Sequence, residues 1–176
     1  MTTTPNNSQQ SLSFPEAIAF TQDLMAKIDA AELTETTIEK KVASLVSNHN
    51  GARGFFVAYL TSDLTLADHP SPGVIKALQA FPDIVSELLV KNVAMSAAMA
   101  ITHQRNQDET AALGSERVNQ RTINLIQQLN LETVTQELAA LKASVTGEAG
   151  NYQEFLQRWG YDGVQKQAIK RAIAKI

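Results

Sequence analysis

The sequence predicts an all-α protein: a compact multi-helix bundle of about eight helices, in orthogonal or mixed packing, with no significant sheet. Three observations carry that expectation. Apolar residues recur at helical spacing from end to end. Helix-start signals, meaning Ser, Thr, Asp or Asn caps and proline in the first turn, stand ahead of most apolar stripes. Only one segment, Phe55 to Leu60 (FFVAYL), has the continuous apolar run of a buried strand. A lone strand would leave its backbone donors and acceptors without a ladder partner, so that segment is also read as a short buried helix.

The elements follow in order. Ser13 with Glu16 three residues on, and Pro15 between them, makes a capping-box start. Phe14, Ile18, Thr21, Leu24, Met25 and Ile28 then share a face. A second helix starts among Thr34, Thr36 and Thr37 and carries Ile38, Val42, Leu45 and Val46. It is expected to stop at the polar breaker Asn48-His49-Asn50-Gly51. Ser71-Pro72 opens a helix with Val74, Ile75, Leu78 and Phe81 inward, and Pro82-Asp83 restarts another. This one is rich in small residues (Ala94, Ser96, Ala97, Ala98, Ala100) that admit close neighbours, so it is expected at the centre of the fold.

A more polar helix follows over roughly Glu109 to Leu129, with Val118, Thr122, Leu125, Ile126 and Leu129 as its apolar edge. Another carries Val134, Leu138, Leu141 and Val145 and ends at Thr146-Gly147. Asn151 with Glu154 is read as a further capping box, ahead of an aromatic face of Tyr152, Phe155 and Trp159 that Gly160 terminates. Asp162 with Gln165 starts the last helix. The domain reading is a disordered polar tail over residues 1–12 and one helical domain over 13–176. Residues 147–150 are a linker candidate ahead of a C-terminal helical pair, 151–176.

Composition narrows the chemistry. With 176 residues and 44% hydrophobic content the chain can bury a core of its own, so it needs no covalent staple. It has no cysteine, which removes disulfides, thiolate metal sites and thiol catalysis. A net charge of −3 disfavours nucleic acid as a partner. The first residues contain neither a basic nor an apolar leader, and the longest apolar window, Ile84 to Ile101, is broken by Glu87, Lys91 and Asn92. A cytoplasmic protein without a transmembrane segment is therefore expected.

Catalytic motifs fail one by one. The residues three before His49, His69 and His103 are Val46, Leu66 and Ala100, so the Glu-x-x-His pairs of carboxylate metal bundles are missing, and no metal or other cofactor is expected. Gly51 to Gly54 and Gly147 to Gly150 lack the Lys-Ser/Thr continuation of a phosphate loop and are read as turns. Ser115 lacks the strand and flanking glycines of a nucleophile elbow.

Two sets of residues remain as candidates. Asn92, Ser96, Met99 and His103 step by four, three and four along the central helix, so they share one face. A polar group among apolar neighbours is the usual build of a small-ligand pocket. Asn92, Ser96 and His103, joined by Arg53 and Tyr59 from the preceding buried segment, are its candidate residues. The competing reading is a core amide bonded to a neighbouring backbone. The second set comes from charge. Six acids and one base lie between Glu16 and Glu39, against five bases and one acid from Arg158 to Lys175. A basic amphipathic helix of this kind can meet a membrane surface, an acidic partner or nucleic acid. Lys166, Lys170 and Arg171, with Trp159 and Tyr161 beside them, are the interaction candidates, through a protein partner or self-association. A solvated face complementing the helix dipole is the plainer alternative.

The run Arg53-Gly54-Phe55-Phe56-Val57-Ala58-Tyr59-Leu60, then Ser71-Pro72, Glu87-Leu88-Leu89-Val90-Lys91-Asn92 and Ala97-Ala98-Met99-Ala100-Ile101-Thr102-His103, resembles a group of uncharacterised cyanobacterial proteins. The likeness runs from about residue 34 to 168. It implies a photosynthetic-cell context and no activity. The expectation is a non-enzymatic helical interaction or regulatory module. The alternative is a small-molecule binder with its pocket beside the central helix, residues 82–104.

Overall fold

Capping chemistry sets the first three helices. The Glu16 carboxylate accepts from the Ser13 backbone N–H at 2.8 Å and from its hydroxyl at 2.6 Å, opening α1 (Phe14–Asp29). Thr34 Oγ1 accepts from the Thr37 N–H at the start of α2 (Glu35–Val46). Asn48 Oδ1 accepts from the Gly51 N–H at 2.9 Å and opens α3 (His49–Thr61). The FFVAYL segment is thus helical, as expected. The breaker is shorter than expected: Asn48 caps the new helix, and His49 to Gly51 already form its first turn.

The computed structural model describes residues 12–148 and 150–176. The expected tail, 1–12, lies outside the described residues except for Leu12, which packs against the core.

Gly51 and Gly54 are not turn residues, which corrects the sequence reading. Both lie inside α3, where the chain comes closest to its neighbours. A Cβ at Gly54 would sit 2.5 Å from Ala17 Cβ and 3.0 Å from the Ile18 nitrogen. One at Gly51 would stand 2.0 Å from the Leu45 carbonyl oxygen. The glycines let α3 press directly on α1 and on the end of α2, a close approach that only a missing side chain allows.

The Ser71 hydroxyl faces the Val74 N–H at the start of α4 (Pro72–Gln79), and Glu35 reaches across from α2 to accept from the Gly73 N–H at 2.6 Å. α5 (Pro82–Arg105) then runs through the middle of the fold, against α6 (Glu109–Leu129), α9 (Gly163–Ile173), α7 (Glu132–Thr146), α3 and α4. Leu89, Val90, Val93, Ala94 and Ala98 along it are fully buried. Truncating Leu89 to alanine costs roughly 2–5 kcal/mol by the usual cavity cost. Among the described helices α5 alone is long and apolar enough to span a membrane, and half of its most apolar window is buried inside the fold.

The C-terminal helices fold back onto this centre. Gly147, at φ 93°, ends α7 in the left-handed conformation. α8 (Gln153–Trp159) starts one residue later than expected, without the Asn151 capping box. Burial explains the shift: Tyr152 is 3% exposed, its N–H donates to Ser144 Oγ, and its hydroxyl donates to Glu137 at 2.5 Å. Those tertiary contacts fix the chain before a local cap forms. Asp162 and Gln165 make the expected capping box of α9. Among the described residues the chain has nine α-helices, a 3₁₀ turn at Thr65–Ala67, and no strand.

Candidate functional site

The site is organised by two polar residues of α6 that face inward. Arg121 is 3% exposed in its side chain, and all of its guanidinium donors are used. Nε and Nη2 hold the Asp68 carboxylate at 2.7 and 2.8 Å. Nη1 and Nη2 also donate to the carbonyls of Leu60, Ser62 and Leu64 at 2.7–3.0 Å. The hydrogen bonds from Arg121 hold the Asp68 carboxyl below the usual carboxylate range. Asn124 Nδ2 donates to the Asp68 carbonyl, completing the clamp on segment 60–68. Five residues N-terminal of Asn124 along α6, Asn119 Nδ2 donates to the Val93 carbonyl at 3.1 Å and to Ser96 Oγ at 2.9 Å, tying α6 to α5.

Two depressions flank this seam. The first is a cleft of about 350 Å³ between α5, α6 and the end of α3, lined by Thr61, Asn92, Met95, Ser96, Met99 and, from α6, Gly114, Arg117 and Val118. The second is a groove of about 630 Å³ between α5, α6 and α9. Its floor is Ala97, Ala100, Ala168 and Ala172. Arg117, Arg171 and Lys175 stand along it with Leu113, which is 65% exposed. The two share Ser96 and Arg117.

A third, polar cleft of about 640 Å³ lies at the other end of α5, against α7 and α8. Its charged groups largely satisfy one another. Lys91 pairs with Glu87, His49 Nε2 stands 3.4 Å from Glu87, and Arg158 pairs with Glu154 at 3.2 Å. Ser86 Oγ and Thr133 Oγ1 lie 2.6 Å apart on its wall. Among the described residues no cluster of three or more His, Asp or Glu is arranged to hold a metal ion.

The structure brings together part of the sequence-derived pocket. Asn92 and Ser96 line the cleft side by side, and Ser96 Oγ donates to the Asn92 carbonyl at 2.5 Å. His103 is half-buried one turn beyond Met99 and outside the cleft lining. Arg53 points elsewhere, with its guanidinium 4.9 Å over the Phe14 ring. Tyr59 is a core residue. It stacks on Phe55 and donates its hydroxyl to the Leu66 carbonyl at 2.9 Å, and burial raises its pKa.

Of the interaction candidates, Arg171 lines the groove, while Lys166 and Lys170 are half-buried on α9. Trp159 is 49% exposed and stacks at 6.5 Å on Tyr161, whose buried hydroxyl has no partner among the described residues and is pushed up to about 12 by burial. The basic α9 packs on α5 and α7, whereas α1 and α2 pack mainly on α3 and α4. Several acids of that N-terminal segment have local partners: Glu16 with Ser13, Asp23 with Lys27, and Glu35 with the Gly73 N–H.

Sequence reading passed over Leu113, Gly114, Arg117, Asn119 and Arg121. A signal was present for two of them. Arg121 lies in line with Val118 and Leu125, on the stripe expected to be buried. Gly114 is a glycine in a helix interior, where it needs a reason.

No curated protein and no solved structure matches this chain. Residues 13–176 match the family model described as uncharacterised conserved protein UCP020893. That span extends beyond the resemblance seen from residue 34 to 168 and carries no statement of organism or activity. With nearly the whole length matched, the chain belongs to the family of uncharacterised conserved protein UCP020893.

Proposed function

We propose that this chain is a non-enzymatic helical interaction module whose docking surface is the α5–α6–α9 groove. One observation carries the reading: a broad groove with an alanine floor is flanked by an exposed leucine and three cationic side chains. Single exposed apolar residues are ordinary on protein surfaces. Leu113 differs in standing at the edge of a groove whose small floor residues let a backbone approach closely. That combination fits an amphipathic helix laid apolar face down.

Charge selects the occupant. Arg117, Arg171 and Lys175 face Glu116 as the one acid of the lining, so the matching helix is acidic along its edges. The partner is therefore an acidic amphipathic helix of another protein. Charge steers encounter and register, while burial of Leu113 and the alanine floor holds the complex.

The test uses a photo-cross-linking residue at position 113, or at the exposed Ser44 of α2 as control, in cells that make the protein. The cross-linked peptides are then sequenced. The expected result is one acidic, helix-forming segment captured at position 113 only, and lost in R171E/K175E. The same products from both positions, or products indifferent to that charge reversal, would overturn the reading.

A further inference from the structure

We infer that the α5–α6 cleft binds a small monocarboxylate with an apolar body. The argument begins with Gly114, which lies in the interior of α6 and lines the cleft. A glycine there costs roughly 1 kcal/mol of helix stability relative to alanine. Other glycines of this fold have visible reasons. Gly54 admits α1, and Gly147 adopts a left-handed φ. Gly114 has neither: it lacks a positive φ, and a Cβ built on it meets nothing within 4 Å. Gly163 shares that open space and ordinary φ but stands at the first position of α9. The fold gains no packing from the missing side chain. What it gains is an open cleft wall.

The polar lining points the same way by a separate route. Across the seam Asn119 is buried and its amide nitrogen donates to both Val93 and Ser96. The Asn92 carboxamide, on the cleft wall, is half-buried and has no hydrogen-bond partner among the described residues. It offers two N–H donors and a carbonyl to whatever enters. Arg117 contributes the charge. Its Nη2 makes a 3.2 Å contact to Asp63, which is 98% exposed, and a marginal 3.5 Å contact to the Thr61 carbonyl. The remaining fork is available, and a guanidinium fork matches a carboxylate. No acid lines this cleft, and Arg117 is the one charged residue of its lining.

The apolar surface is Met95, Met99 and Val118. Thioether chains adapt to ligands of irregular shape, which fits an alkyl or aryl body better than a sugar or nucleotide. The volume of about 350 Å³ sits at the small end of the usual range for ligand sites. The carboxylate would meet Arg117 and the Asn92 amide at the rim, with the apolar body over the methionines. This site shares Ser96 and Arg117 with the proposed docking groove, but Gly114, Asn92 and the two methionines line the cleft and not the groove.

The experiment titrates full-length protein carrying ¹³C-methyl methionine with decanoate, and in parallel with decanol. Saturable shifts at the Met95 and Met99 methyl signals are expected with decanoate, and at least tenfold weaker ones with decanol. R117Q should weaken decanoate at least tenfold, N92L should weaken it, and G114L should abolish it. G114A should fold at least as well as the parent and bind decanoate more weakly than the parent but more tightly than G114L. G114L leaves the groove untouched, so its cross-linking through position 113 should persist, which separates failure of this proposal from failure of the docking one. Unsaturable or absent methionine shifts, equal binding of decanol, or full binding by G114L would overturn the inference. Should G114L unfold, N92L with unchanged affinity would overturn it equally.

Discussion

The guanidinium of Arg121 and the carboxylate of Asp68 form a two-point ion pair, at 2.7 and 2.8 Å, that joins α6 to the segment between α3 and α4. The pair is asymmetric. Arg121 is 3% exposed, while Asp68 is 38% exposed and stays in contact with water. The energetic weight therefore lies with the arginine, whose other donors satisfy the backbone carbonyls of Leu60, Ser62 and Leu64. Arg121→Met is expected to lower unfolding free energy by about 3 kcal/mol, because those carbonyls are left unsatisfied. Arg121→Lys should recover little, since an ammonium lacks the planar fork. Asp68→Asn should cost less than Arg121→Met because water can replace it. Urea unfolding of the three variants checks the order.

Two glycines should respond with opposite signs to the same change. Gly54→Ala places a methyl group 2.5 Å from Ala17 Cβ and is expected to destabilise by about 1–3 kcal/mol as α1 is pushed away from α3. Gly114→Ala places one in open space and should stabilise by about 1 kcal/mol through helix propensity. Thermal melts of both variants against the parent decide it. Equal effects would contradict the packing described at Gly54.

Two buried tyrosines make a similar contrast. Tyr59 donates to the Leu66 carbonyl, so Tyr59→Phe should cost about 1 kcal/mol. The Tyr161 hydroxyl has no partner among the described residues, so Tyr161→Phe should leave stability unchanged or raise it. Denaturant midpoints of the two variants provide the comparison. A Tyr161→Phe loss as large as that of Tyr59→Phe would mean the hydroxyl has an unseen partner.

Acid sensitivity should appear at the α5–α9 junction. Asp162 accepts from Arg105 at 2.6 Å and caps α9, and these interactions, the Arg105 hydrogen bond foremost, hold its carboxyl at about 2 against an ordinary 3.8. A carboxyl depressed on folding contributes stability that is complete above its unfolded value and is lost as pH falls through the folded one. The Asp162 share of stability should therefore decline between about pH 4 and pH 2. Asp162→Asn should flatten that part of the urea-midpoint profile, and the carboxyl resonance of Asp162 should titrate near the lower end.

The α-helical class, most helix starts and the central place of α5 were legible from residue order. Caps, first-turn prolines and apolar spacing act over three or four residues, and short-range chemistry is what a sequence displays directly. Asn151 misled because its local capping signal lost to the burial of Tyr152, a contact with Ser144 and Glu137 on a different helix. Gly51 and Gly54 misled for a related reason: a glycine in a turn and a glycine under a crossing helix look alike until the neighbour is known.

The sequence by itself determined the class of fold, the helix boundaries to within a few residues, and the chemistries that a chain without cysteine excludes. Tertiary structure decided which polar residues met. Arg53, Tyr59, Asn92, Ser96 and His103 shared a plausible pocket on paper, yet only Asn92 and Ser96 stand in the cleft, since Tyr59 faces the core and Arg53 lies over Phe14. Gly114 and Arg117 joined them from α6. The direction of a side chain follows from how helices cross, and that depends on contacts between residues far apart in the chain, which no local spacing encodes.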